Sequence, residues 1–152
     1  SVVANGCMIY DYENKKTLDE LFLPENEYYI AKKVLDMGLN VGIEAHSGEK
    51  ILTIKETQET RDHQEYEWIS GENVSFEEAS KYRWNKVVYF FDNEKELALV
   101  KAMIAKEKAV SAFSDTSAVI AGRKRKYYEQ FPAGVSKASE LDKLKNILKI
   151  EK

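Results

Sequence analysis

The stretch that most limits the possible folds is residues 97–105, Leu-Ala-Leu-Val-Lys-Ala-Met-Ile-Ala, in which Lys101 is the one polar side chain. Asp92 and Asn93 stand ahead of it as capping residues, and the helix they predict runs over residues 94–108. A surface helix needs an apolar stripe on one side only. This one is apolar around most of its circumference, so it is expected either in the middle of the core or beneath a second subunit. Just before it, Val87, Val88, Tyr89, Phe90 and Phe91 form a continuous apolar run, which predicts a central strand covered on both faces.

The other elements follow from periodicity and punctuation. Residues 2–12, rich in Val, Ile and Tyr, predict a first strand interrupted at Asn5-Gly6, and residues 17–23 a short helical turn closed by Pro24. Pro24, Glu25 and Glu27 then open a helix with the stripe Ile30, Ala31, Val34, Leu35 and Met37, and Gly38 can supply its left-handed end. Val41, Ile43 and Ala45, a turn at His46-Ser47-Gly48-Glu49, and residues 51–54 predict a hairpin. Residues 55–65, between Lys55 and Glu65, carry little apolar content and predict a loop or a solvated strand extension, the obvious mobile segment. Tyr66, Trp68 and Ile69 restore strand character, and Ser75 with Glu78 forms a capping box that opens a short helix to about Trp84. Residues 110–113 and 117–121 predict strands joined tightly through Ser114-Asp115-Thr116, or run together with a bulge. Ser139 introduces a C-terminal amphipathic helix carrying Leu141, Leu144, Ile147, Leu148 and Ile150.

This order reads as βαβ-βαβ. It predicts one α+β domain over residues 1–152, a ferredoxin-like or PII-like antiparallel sheet with two main helices on one face plus the C-terminal helix. The opposite sheet face also needs cover, which makes a homo-oligomer the expected assembly.

Composition narrows the function classes. The chain has 152 residues, with 23 basic and 26 acidic ones, too balanced for wholesale attraction to nucleic acid or anionic membranes. One cysteine, Cys7, excludes an internal disulfide framework and fits a reducing cytoplasm, where it is expected as a buried structural thiol. No apolar stretch approaches the roughly 18 residues of a membrane span, and residues 1–10 lack the pattern of a signal peptide. A cytoplasmic protein without membrane contact is expected.

The usual catalytic signatures are missing. There is no G-x-G-x-x-G, no G-K-[ST] and no G-x-S-x-G, which excludes nucleotide binding and serine chemistry by those modes. His46 and His63 lack the spacing that aims two imidazoles at one metal ion, and they read as a turn histidine and a solvated loop histidine. No cofactor and no metal are called for. Arg123, Lys124, Arg125 and Lys126 followed by Tyr127 and Tyr128 set four cations beside two rings, a mix that single-stranded nucleic acid can use. The plainer reading is a sheet edge guarded by charge against strand addition. Tyr66, Glu67, Trp68, Glu77 and Glu78 group aromatic faces with carboxylates, which suits an adenine ring and a cation such as a sulfonium. The plainer reading there is ordinary strand aromatics and a helix start stabilised by acids.

The stretch from Tyr66 through Glu77-Glu78, the strand at residues 87–91, the Ala- and Leu-rich helix and the Ser114-Asp115-Thr116 segment resembles the phage-encoded S-adenosylmethionine lyases, over roughly residues 66–122. The resemblance implies a trimer shaped like PII proteins, with S-adenosylmethionine or another adenosyl compound bound between subunits. It also implies Tyr66 and Glu77 as catalytic residues, with Trp68, Glu78, Ser114 and Thr116 around the substrate. In such a lyase the substrate's own carboxylate attacks the carbon beside sulfur, giving homoserine lactone and methylthioadenosine, and orientation alone can supply about 7–11 kcal/mol. Two other readings stay open: a non-enzymatic phage or accessory protein that binds a host protein or nucleic acid through Arg123 to Tyr128, and a PII-like small-ligand sensor.

Overall fold

The computed structural model describes residues 2–3, 8–120, 122–134 and 144–145. Near the start, the Asp11 carboxylate accepts hydrogen bonds from the backbone N–H groups of Glu13 and Asn14, at 3.0 and 3.2 Å, and from the Asn14 amide at 2.9 Å. Such an aspartate turn folds the chain back on itself, and Lys15 completes it at φ 53°. Strands β1 (Val2–Val3), β2 (Met8–Asp11) and β3 (Lys16–Glu20) therefore form a small antiparallel sheet. The helical turn expected over residues 17–23 is largely this third strand.

After Pro24, a 3-10 turn at Glu25–Glu27 leads into α1 (Tyr29–Asp36), and Gly38 ends the helical run in the left-handed region at φ 69°. Next come the hairpin β4 (Gly42–Ser47) and β5 (Lys50–Lys55), then α2 (Gln58–Tyr66), β6 (Glu72–Asn73) and α3 (Phe76–Ala79). The chain continues through β7 (Lys86–Phe91), α4 (Glu94–Ala105), β8 (Ala112–Ile120) and β9 (Arg123–Phe131). The main sheet runs β6-β5-β4-β7-β9-β8, antiparallel except for the parallel β5–β6 pair.

This mixed sheet corrects the ferredoxin-like expectation. A βαβ unit needs a strand before α1 in the same sheet, but β2 and β3 pair only within the separate three-stranded sheet. The segment expected as two strands around Ser114-Asp115-Thr116 is the single nine-residue β8, in unbroken register with β9. Cys7 and the expected C-terminal helix lie outside the described residues, except for helical Leu144 and Lys145.

β7 is buried along its whole length, as its apolar run predicts. Val87, Tyr89 and Phe91 face one core with Ile43, Ala45 and Leu52, covered by Ile30, Ala31 and Val34 of α1 and by Val100 and Ile104 of α4. Helix α4 is not enclosed within this core. Leu99 is 45% exposed, and Ala98, Ala102 and Ala105 are exposed too. Three of the apolar residues in 97–105 are alanines, whose small area makes the arc less demanding of burial than its breadth suggests. No helix among the described residues is long and apolar enough to cross a membrane.

The opposite sheet face is partly covered by α2, where a mobile loop was expected. Thr57 caps this helix in a reciprocal arrangement with Thr60, and its inward residues are Glu59 and Thr60. Arg125 of β9 pairs with Glu59 at 3.4 Å and also with Asp62. Gln64 donates to Glu44 Oε1 at 3.2 Å and to Thr53 Oγ1 at 3.0 Å, and accepts from the Gly71 N–H at 3.0 Å. A Cβ on Gly42 would stand 2.5 Å from Thr60 Cγ2 and 2.7 Å from Thr57 Oγ1, so only glycine lets the first turn of α2 rest this close to β4.

Candidate functional site on the α2 face of the sheet

Antiparallel register decides which side chains meet here. His46 stands opposite Lys86, Val88 is flanked by Glu44 and Glu129, and Phe90 stands opposite Tyr127. On β8, Thr116 stands opposite Tyr127. Directly opposed residues share a sheet face, so one face of β4, β7, β9 and β8 gathers His46, Lys86, Val88, Glu129, Tyr127, Thr116 and Ile120. Helix α2 and the residues after it wall this face with His63, Tyr66, Glu67 and Ile69, leaving a cleft of about 360 Å³.

The polar groups of the cleft are unevenly satisfied. Lys86 is 9% exposed, and its ammonium lies 3.5 Å from Glu129 Oε1. His63 Nδ1 stands 3.4 Å from the fully buried Glu44, and the imidazole ring packs on Phe90 and Tyr127, with centroids 5.0 and 5.7 Å away. The Tyr127 hydroxyl and His46 Nε2 are shielded from solvent and have no hydrogen-bond partner among the described residues. Burial pushes the Tyr127 phenol up to about 12, with Arg125 opposing the shift.

Two predictions arise here. A shielded hydroxyl without a partner costs about 1–3 kcal/mol, so Tyr127→Phe is expected to leave thermal stability unchanged or to raise it. A clear drop in melting temperature would show that the hydroxyl has a structural partner after all. For His46, desolvation first, then Lys86 and His63, holds the imidazole well below its ordinary 6.5. The unfolded chain then binds the proton more readily, so stability is fully present above pH 6.5 and falls as the pH drops below it. His46→Gln is expected to flatten the denaturation-midpoint profile below that pH, and an unchanged slope would assign the acid sensitivity to other groups.

The residues singled out from sequence are only partly brought together. Tyr66 and Thr116 line the cleft. Trp68 is not in the expected strand: it follows α2 at φ 56° and is 95% exposed. Glu77 and Glu78 sit on α3 and do not line the cleft; Ser75 caps that helix through the Glu78 N–H at 3.1 Å, and Glu78 pairs with Lys81 at 2.9 Å. Ser114 lies mid-strand opposite Glu129, where a turn was expected. His46 is a strand residue and His63 a helix residue, so neither fits its expected turn or loop placement.

The basic run does not form an edge. β9 is interior, between β7 and β8, and three of the four cations of the run are already engaged. Arg123 lies 3.6 Å from Asp92, Arg125 is held by Glu59 and Asp62, and Lys126 pairs with Glu94. Tyr127 is buried in the sheet, and Tyr128 stacks on Phe113 at 5.5 Å. Lys124 is the one cation of the run with no ion pair among the described residues, which leaves no continuous patch for a phosphate backbone. Lys86 and Glu129, absent from the sequence reading, are the charged pair of the cleft. Their one local signal is alternation, which places each on the face of its strand that bears His46 and Tyr127.

Solved structures share this architecture. TM0651 from Thermotoga maritima superposes with a TM-score of 0.76 at 18% identity, over 97% of this chain and 53% of that one. A haloacid dehalogenase-like hydrolase from B. subtilis gives 0.74 at 16% identity, over 99% and 59%. The sugar phosphatase BT4131, of subclass IIB of the haloacid dehalogenase superfamily, gives 0.71 at 15% identity, over 99% and 53%. At such identities the likeness establishes the fold alone, and the chain spans little more than half the length of these proteins. No curated protein matches the chain.

A family model covers residues 1–152, and it describes haloacid dehalogenase-like hydrolases. It overturns the resemblance to S-adenosylmethionine lyases, and with it the adenosyl substrate, the lactone-forming reaction and the phage association. The trimer implied by that resemblance loses its basis, and neither the host-binding accessory protein nor the PII-like sensor is supported. With a mixed sheet shared with these hydrolases and a match along its entire length, the chain belongs to the haloacid dehalogenase-like hydrolase family.

Proposed function

We propose that this chain supplies a substrate-binding surface of a phosphatase acting on small phosphate monoesters, with sugar phosphates the first class to consider. Family membership supports the hydrolytic class, and the similarity to a sugar phosphatase supports the substrate class. The observation that carries the reading is the α2-face cleft, where Lys86, Glu129, Thr116 and two tyrosine rings line a space of about 360 Å³, within the range of small-molecule sites. The single cysteine accords with a cytoplasmic setting.

Such phosphatases imply a magnesium ion. Among the described residues no group of three or more His, Cys, Asp or Glu side chains converges to hold one. These residues do not fit the ion. Their part is to bind and orient: the cleft grips the organic portion of the ester, and the α2 wall keeps water from that portion. Titrating the protein with a panel of sugar phosphates and with S-adenosylmethionine, followed by NMR of the Val88 and Ile120 methyl groups, tests the reading. Saturable shifts with at least one phosphate monoester and none with S-adenosylmethionine are expected. A panel in which no phosphate monoester binds would overturn it.

A further inference from the structure

We propose that the outer edge of β8 pairs with the same edge of a second copy of this chain, antiparallel and about a two-fold axis perpendicular to the sheet at Thr116, so that two six-stranded sheets become one. This pairing goes beyond the phosphatase reading and does not depend on it. It also differs from the three-fold assembly set aside above, because it involves no ligand cleft between subunits.

The two edges of the main sheet are built differently. At one end stands β6, only the two residues Glu72 and Asn73, too short to template another strand. At the other stands β8, nine residues in unbroken register with β9, and no strand among the described residues pairs with its outer side. Every second residue of such a strand turns its N–H and C=O groups away from the sheet, where they are open to pairing. Edges that stay single usually carry lysine, proline or a bulge as protection. β8, Ala-Phe-Ser-Asp-Thr-Ser-Ala-Val-Ile, has none of these. Its one charge, Asp115, is held by Lys101 of its own chain at 2.7 Å, and Val119 is 67% exposed.

The sequence of β8 indicates which partner fits. Only a two-fold axis at Thr116 pairs all nine residues with the same nine of a second copy. That register sets Thr116 against the partner's Thr116, Asp115 against the partner's Ser117, and Phe113 against the partner's Val119. Threonine pairs and aromatic–β-branched pairs are among the favourable cross-strand combinations, and no like charges stand directly opposite. The two Asp115 carboxylates become diagonal neighbours, each already paired with its own Lys101. Phe113 stacks on Tyr128 at 5.5 Å, which fixes the ring that the partner's Val119 meets. An unrelated extended peptide would find the same hydrogen-bonding edge without this match of side chains.

Sedimentation equilibrium of the full chain, from micromolar to millimolar concentration, tests the pairing, and reversible association to a dimer is expected. Val119→Glu is expected to weaken that association at least about 10-fold, the consequence of losing one buried valine per subunit. In a single copy the new carboxylate stands opposite Lys124, which favours folding of the variant. The register is tested separately, in a Cys7→Ser background. Thr116→Cys places two thiols opposite each other at a Cα separation of about 4.5–5.5 Å, within disulfide reach, and is expected to give a covalent dimer on mild oxidation. Ser114 falls opposite position 118 of the partner, so Ser114→Cys leaves its two thiols about 13–14 Å apart along the strands and is expected to stay uncrosslinked. Should Val119→Glu fail to fold, the two cysteine variants decide alone. A chain that remains monomeric throughout would overturn the proposal. A dimer insensitive to Val119→Glu, or one that Thr116→Cys links no faster than Ser114→Cys, would do the same, since either outcome assigns the pairing to another surface.

Discussion

Arg125→Met is expected to cost about 3–5 kcal/mol of stability, because it strands buried carboxylates without their cation. Arg125 and Glu59 are each 4% exposed at the side chain and Asp62 is 18% exposed, so solvent does little to relieve the repulsion that remains. The effect concentrates on α2, whose buried residues are Glu59 and Thr60 and whose packing on the sheet is otherwise confined to the His63 ring and the Thr60 methyl group among the described contacts. Urea denaturation measures the loss, and amide exchange along α2 should accelerate before that of β7. A second substitution, Glu59→Gln, is expected to restore part of the stability by removing one of the unpaired charges. A loss below about 1 kcal/mol would mean that the helix is retained by something other than this network.

Trp84→Ala is the second large effect, again about 3–5 kcal/mol, from the cavity left by a fully buried indole. The ring stacks on Tyr28 at 3.9 Å with an interplanar angle of 11°, and its N–H donates to the Ala79 carbonyl at 2.8 Å. The Trp84 backbone N–H donates to the Tyr28 hydroxyl at 2.9 Å, and the Leu23 N–H donates to the Trp84 carbonyl at 2.7 Å. The residue therefore ties α3, the segment before α1 and the start of β7 to one another. Trp68→Ala serves as the contrast: at 95% exposure it is expected to leave the melting temperature unchanged. Equal losses in the two variants would refute the packing argument.

The elements that could be read from sequence are those whose signals are local. A continuous apolar run gave β7, Asn93 capped α4 through the Glu96 N–H at 3.0 Å, and Ser75 capped α3 as its spacing to Glu78 implied. Helix α2 escaped because apolar periodicity cannot detect a helix whose inward residues are Glu59 and Thr60. The available signal was Thr57 with Thr60, a capping pair built from two threonines. β3 escaped because its turn depends on one carboxylate, Asp11, reaching three donors. The cleft escaped for a different reason. Lys86, Glu129 and His46 are neighbours only through the pairing of β4, β7 and β9, and no spacing along the chain encodes that register. Tyr66 and Thr116 line the cleft although the sequence suggests another chemistry for them, whereas Glu77 and Glu78 belong to a helix start.

Gly42 bears on how rigid such a binding surface can be. With Thr57 and Thr60 seated where a methyl group would otherwise project, the helix abuts the strand's main chain, which lacks the rotamer freedom through which side chains absorb small displacements. The placement of Tyr66, on the helix, relative to Thr116, on the sheet, both of which line the cleft, is thereby set by the least compliant part of the protein. A ligand slightly too broad would have to deform the sheet rather than merely shift a neighbour, and discrimination by size is the outcome.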